Sequence, residues 1–354
     1  MLSFALALLA AQAAPQDPLA VTPRVVSAAE LRGRGFDASW EFPRHRSDGT
    51  PYPGVEFEEA IFALARKPIL LAQNGQPELW LGDLVRQMQA GGWTKDTSKR
   101  VLAQIEDKVP EKDEARLRHL LSAWDLYGRK WNPRSSGQRH GMHFGKQWKF
   151  GKNDWAEAKA DREVEQIAQI VLADLAAIKQ AEADYDSYWS HRKHDWERIE
   201  VDLNSALQQR DEEGRLIAAS LDIDFEFDLP FPFSTAEFHL HTLNRLLEDG
   251  RPALFLHGTG SDLHWLAGYD VYEPIRDRDG AWVGTLMVRV FGLDLDGIPD
   301  GRGDRHDNLR GQYGNLRRDA EALFARRKAA QADLQLAPYR GWIPDYPIRD
   351  GRRD

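Results

Sequence analysis

Leu221-Asp222-Ile223-Asp224-Phe225-Glu226-Phe227-Asp228-Leu229 alternates apolar and acidic residues without a break. Successive side chains of a strand point to opposite faces, so an extended conformation sorts this run into one oily side and one acidic side. Pro230 and Pro232 then remove backbone donors, and the run must stop there or continue as a sheet edge. Outward, over residues 216–300, two Asp-Gly pairs punctuate further strand-like runs. Asp249-Gly250 separates residues 237–247 from 253–257, and Asp279-Gly280 separates 262–275 from 281–291. Asp-Gly suits a two-residue type I′ hairpin, whose central residues take positive φ. At the second pair such a turn predicts that Val271 faces Val288, Tyr269 faces Val290, and Asp270 meets Arg289 on the other face. At the first it puts His239 and His241 on one face and His257 on the opposite one.

On both sides of this sheet the period changes to that of helices. Residues 155–185 carry Val164, Ile167, Val171, Leu175 and Ile178 at three- and four-residue steps, which predicts a long helix. Leu309, Leu316, Ala320, Leu323 and Phe324 predict another over residues 308–334. Residues 185–207 fit helix or strand equally. Nearer the start, residues 55–128 hold four short amphipathic runs, the fourth with Pro110 in its first turn and Gly128 just past its end, as helices prefer. Residues 14–54 read as an extended arm and 338–354 as an irregular tail wrapping the surface. Between the helical runs and the long helix lies the segment 129–154, which from Arg129 to Lys152 contains no acidic residue. Its basic groups interleave with Trp131, Phe144, Trp148 and Phe150. Such a segment suits a polyanion or a solvated connector between domains, and the connector is the simpler account. The fold class expected is α+β: a helical N-terminal domain, then an antiparallel sheet packed against long helices over residues 155–337.

Composition limits the function. A chain of 354 residues with 42% hydrophobic content can bury a sizeable core, and the absence of cysteine excludes thiol catalysis and disulfides. A net charge of −9 gives no general attraction to nucleic acid or anionic lipid. Met1 to Ala13 is an apolar run ending in Ala11-Gln12-Ala13, the small-x-small pattern of a signal peptidase site, so cleavage after Ala13 and export are expected. Export without cysteine fits the periplasm or the outside of a bacterial envelope. No later stretch is long and apolar enough to be an integral membrane segment.

Several phrases carry a family resemblance. Ile170-Val171-Leu172-Ala173-Asp174-Leu175, the run from Leu221 to Phe233, His264-Trp265-Leu266-Ala267-Gly268-Tyr269-Asp270-Val271, Trp282-Val283 and the stretch from Val288 to Asp300 are similar to the START-like, or SRPBCC, helix-grip superfamily. The resemblance covers residues 155–335. It implies a curved sheet gripping a long final helix around a ligand cavity, an apolar or amphipathic small molecule as partner, and catalysis in only some members. The strand such domains place before the first long helix would fall at 155–165.

For binding, Phe255, His257, Trp265, Tyr269, Tyr272 and Trp282 are the candidates, because cavities are lined by apolar and aromatic groups with few polar ones. For a metal, Asp294, Asp296 and Asp300, with Asp304 and Asp307, resemble an Asp-rich calcium loop. Gly292 and Gly303 stand where an EF-hand needs oxygen ligands, so a solvated acidic turn is the plainer reading. His191 and His194 lack the H-E-x-x-H setting and read as surface residues, and the paired His239 and His241 as ordinary sheet histidines. Asp222, Asp224, Glu226 and Asp228 read as a wet outer face. His257-Gly258-Thr259-Gly260 resembles an esterase oxyanion loop, but G-x-S-x-G is absent and a strand-joining turn suffices. No catalytic residue is assigned. The expectation is a binding protein for an amphipathic molecule. The alternatives are a noncatalytic envelope interaction protein and an envelope hydrolase, the last requiring histidines and carboxylates to converge.

Overall fold

The computed structural model describes residues 20–21, 24–25, 42, 45, 48–51, 58–59, 61–62, 65, 86, 143–150, 162–184, 196–228, 235–261, 263–277, 279–295, 302–334, 341–345 and 348–349. Its centre is a meander of six strands: β5 (Trp196–Arg210), β6 (Leu216–Asp228), β7 (Thr235–Leu246), β8 (Pro252–Thr259), β9 (Leu263–Arg276) and β10 (Trp282–Leu295). Strand β4 (Arg162–Val171) adds antiparallel to β10, and β3 (His143–Phe150) antiparallel to β4. At the far edge β2 (Arg24–Val25) pairs in parallel with β5. The sheet order is β2-β5-β6-β7-β8-β9-β10-β4-β3, and a separate pair joins β1 (Ala20–Val21) to β11 (Ile348–Arg349).

The alternating run lies in β6 as far as Asp228, with Leu221, Ile223 and Phe225 buried on one face. That face is covered by two helices, α1 (Leu175–Glu182) and α2 (Arg302–Ala330). Tyr313, Leu316, Ala320 and Phe324 recur along α2 at three- and four-residue steps and pack in the same cluster as Leu240, Leu256, Leu266 and Met287. Arg327 near the end of α2 bonds Asp174, the N-cap of α1, at 3.0 Å, and Asp174 also accepts from the Ala177 N–H. Part of the opposite face is covered too. Phe42, Ile61 and Ala65 pack on Leu243, Phe255, Tyr269 and Val290, and the Phe62 ring meets Phe255 edge-on at 4.8 Å. Glu58, Glu59, Ile61, Phe62 and Ala65 are helical, in keeping with a helix over 55–67; most of the helical domain expected at 55–128 lies outside the described residues.

Three expectations need correction. The long helix over 155–185 is instead β4, a turn and the short α1. Val164, Ile167, Ile170 and Val171 are β-branched, and β10 has an edge that β4 completes through eight register positions from Thr285↔Val171 to Gly292↔Val164. Pairing and packing therefore override an Ala-rich helical pattern. Residues 143–150, assigned to the connector, are the edge strand β3. The final helix begins at Arg302, so Asp304 and Asp307 stand in α2 rather than in an acidic loop. The open segment 185–207 resolves in favour of strand, since β5 starts at Trp196. In the tail, Ile343 is buried on Leu216, and its N–H bonds the Leu216 carbonyl at 2.6 Å.

The hairpins carry the most informative difference. At Asp249-Gly250 the Leu247 N–H bonds the Arg251 carbonyl and the Gly250 N–H bonds the Leu247 carbonyl, each at 2.8 Å, so the loop has three residues with Gly250 at φ 79°. The same arrangement recurs at Asp277–Ala281, with Gly280 at φ 75°, and at Asp211–Arg215. Three-residue loops ending in a left-handed glycine are the next commonest hairpin connection. One extra loop residue shifts the register by one and changes which side chains share a face. Between β9 and β10 a bulge at Val283 restores the expected pairing, and Val271↔Val288, Tyr269↔Val290 and Asp270↔Arg289 are all present. Between β7 and β8 no bulge intervenes. His241 therefore stands directly opposite His257, and the placement of His257 on the other face is overturned.

Candidate functional site

Beneath α1 and α2 the apolar layer is interrupted by two charged centres. Lys179, on the inner side of α1, uses its three ammonium donors on Glu182 at 2.8 Å, Asn244 at 2.6 Å and the Tyr272 hydroxyl at 2.9 Å. The Tyr272 hydroxyl in turn donates to Glu182. Burial raises the Glu182 carboxyl above its ordinary value, partly offset by the attraction of Lys179. Burial and the neighbouring Glu182 and Asp270 raise Tyr272 well above the usual phenol range. In the second centre the Arg289 guanidinium forks onto Asp270 through contacts of 2.7 and 2.5 Å, both side chains being essentially inaccessible. Tyr313 of α2 donates to the same carboxylate at 2.5 Å, and its ring lies 4.8 Å from the guanidinium. The cross-strand pair read from the hairpin register is thus the anchor that fixes α2 to the sheet.

One helical turn beyond Tyr313 sits Arg317, 1% exposed. Its Nη1 has no hydrogen-bond partner among the described residues, nor do the Oε1 atoms of the buried Gln169 and Gln312. Desolvation lowers the Arg317 guanidinium below its ordinary value, opposed by the charge of Glu321 a further turn along. Glu321 accepts the Leu172 N–H at 2.9 Å, and burial pushes its carboxyl up to about 7. Arg317, one position after Leu316 and a turn before Ala320 and Phe324, was a visible signal, a charge at the apolar stripe. Lys179 was likewise legible as a cation one residue after Ile178.

The six expected binding residues do not converge. Phe255, Trp265 and Tyr269 belong to the layer under Phe42 and Ile61, and His257 lies on that same face. Tyr272 is on the helix-covered face, where Trp282 packs at its margin. Of the expected metal set, Asp294 pairs with Trp265 in β10, whereas Asp296 and Asp300 lie outside the described residues, as do His191 and His194. No group of three or more His, Asp or Glu among the described residues is placed to hold a metal ion. Nor is any described helix long and apolar enough to cross a membrane.

On the outer face the structure assembles what the sequence kept apart. His241 reaches Asp222 at 2.8 Å through Nδ1 and Thr259 at 3.1 Å through Nε2. Its ring stacks at 5.8 Å on that of His257, which is 5% exposed, bonds Glu58 and lies 5.4 Å from the Phe42 ring. His239 pairs with Asp224 at the exposed end of the row. The expected wet acidic face thus has two of its carboxylates engaged by histidines.

No protein-family model matches the chain, and no curated protein sequence matches it. Among solved structures it is similar to the human StarD13 (DLC2) lipid transfer and protein localization domain, with a TM-score of 0.34 and 11% identity over 57% of this chain and 96% of that one. It is also similar to a STAR-related lipid transfer protein from Xanthomonas axonopodis, with a TM-score of 0.34 and 10% identity over 52% and 93%. Human STARD10 gives a TM-score of 0.33 and 7% identity over 64% and 85%. These neighbours are START-type domains, the superfamily that the sequence phrases resemble. At such scores the likeness carries no functional argument.

Proposed function

We propose that the protein binds an amphipathic small molecule between the sheet and its two helices, with the polar head at Arg317 and the tail against the surrounding apolar side chains. The observation that carries this reading is the buried Arg317, whose Nη1 finds no partner among the described residues. Burying a guanidinium costs several kcal/mol unless its donors are met, and a fold needing only an oily core gains nothing from placing one there. An anionic head such as a carboxylate would supply the missing acceptor. Export, inferred from the leader at residues 1–13, would place such binding in the envelope; a mature N-terminus at Ala14 tests that part.

Native mass spectrometry of protein purified from its own envelope, followed by displacement of a bound fluorescent polyene fatty acid with dodecanoate and with dodecanol, tests the binding. The expected result is a retained small molecule and stronger displacement by dodecanoate, with the preference lost in Arg317→Met. Protein that arrives free of any small molecule and takes up no probe overturns the proposal.

A further inference from the structure

Asp222, His241 and Thr259 form a relay of carboxylate, imidazole and hydroxyl on the outer face of the sheet. Asp222 stands opposite His241 across β6 and β7, and Thr259 reaches the same imidazole from β8. An ionised carboxylate only accepts hydrogen bonds, so the 2.8 Å contact with Asp222 fixes the imidazole proton on Nδ1. The other nitrogen, Nε2, is then an acceptor, and the Thr259 hydroxyl donates to it at 3.1 Å. Nucleophile to base and base to orienting carboxylate are both within hydrogen-bond reach, the arrangement by which hydroxyl groups are activated in acyl transfer on unrelated folds. The base is also held in place. The His257 ring backs it at 5.8 Å and is itself clamped by Glu58 and Phe42. Access is open, since the His241 and Asp222 side chains are 32% and 38% exposed.

We propose that Thr259, His241 and Asp222 form a hydrolytic site for uncharged carboxylic esters, distinct from the helix-covered layer around Arg317. Asp222 and Asp224, paired with His241 and His239 on the intervening strand β7, give this face an acidic character that disfavours an anionic substrate, which sets the charge of the class. Thr259 Oγ1 bonds to the ester carbonyl carbon as its proton passes to His241 Nε2. The tetrahedral adduct then breaks the bond to the alkoxy group, which takes that proton and leaves as an alcohol. Water attacks the acyl-threonine by the same route, giving the carboxylic acid and restoring the hydroxyl. In acyl-transfer sites the amide after the nucleophile commonly stabilises the oxyanion. Here it belongs to Gly260, where an added Cβ would sit tightly against β7, 3.0 Å from the Glu237 carbonyl oxygen.

The test uses the full chain with p-nitrophenyl acetate and butyrate. Saturable turnover is expected, with an initial burst and one acetyl group on the peptide containing Thr259. Thr259→Val, close in shape, should abolish the burst and bring turnover down to background, removal of a triad nucleophile costing on the order of a millionfold in kcat. Thr259→Ser should keep the activity. His239→Gln, which alters a histidine outside the relay, should not change it. Turnover that is unsaturable, that survives Thr259→Val, or that falls equally in His239→Gln would identify ordinary surface imidazole chemistry and overturn the site. Should Thr259→Val fail to fold, the serine variant and the mapped adduct decide the matter alone: absence of an acyl group on residue 259 in both refutes the proposal. Because Arg317 lies on the other face, neither result bears on ligand binding there.

Discussion

Replacing Glu321 with glutamine should change how the stability of the protein depends on pH. The carboxyl group sits beside α1, accepts the Leu172 N–H, and titrates at about 7 rather than at the ordinary 4.5 because burial disfavours its charge. Below pH 4.5 the folded and unfolded chains both hold this proton, and the group contributes no difference. Between 4.5 and about 7 the unfolded chain releases it while the folded chain keeps it, so stability falls as pH rises; above 7 the penalty is complete. A tenfold difference in proton affinity is worth about 1.4 kcal/mol, so the full penalty is about 3 kcal/mol. A glutamine oxygen can still accept from Leu172 and has nothing to titrate. Urea unfolding followed by tryptophan fluorescence, at intervals from pH 4.5 to 8, should therefore show Glu321→Gln nearly as stable as the parent in acid and about 3 kcal/mol better, relative to that baseline, at pH 8. Taking the difference between the two proteins cancels every other titrating group. Parallel stability curves across this range would refute the assignment of buried, proton-linked character to Glu321.

Other substitutions probe the same interior by different physics. Tyr313→Phe removes the hydrogen bond to the Asp270 carboxylate and should cost about 1.5–3 kcal/mol in urea unfolding, a bond to a charged group being worth that much. Arg289→Met strands Asp270 as an unpaired buried charge, and a loss of about 3–5 kcal/mol is expected in the same assay. Gly258→Ala would put a Cβ 2.6 Å from that of Leu266 and 2.8 Å from Leu263. Overpacking of that kind costs about 1–3 kcal/mol and should lower the melting temperature seen by calorimetry. Gly250→Ala meets open space except for the Gly341 backbone nitrogen at 3.8 Å, yet must hold φ 79°. It should destabilise by about 1 kcal/mol through backbone strain alone.

Strands β6 to β10, the register of β9 on β10, the Asp270–Arg289 pairing and the final helix were legible in the sequence, because each rests on a period or a turn within a few dozen residues; the strand character of β5 and the burial of that charge pair were not. Alternation at 221–229 admits no other regular structure, and the two Asp-Gly pairs mark reversals whatever their loop length. What the sequence could not decide depended on partners far along the chain. Whether residues 162–171 became helix or strand turned on the free edge of β10, more than a hundred residues away. Whether His257 joined His241 turned on a single loop residue: the bulge at Val283 cancelled that residue in one hairpin, and nothing cancelled it in the other. Face, unlike strand, is a matter of parity, and one residue reverses it. The relay of Asp222, His241 and Thr259 and the clamp from Glu58 therefore exist only in the folded molecule, where three strands and an N-terminal segment bring together groups that local sequence keeps apart.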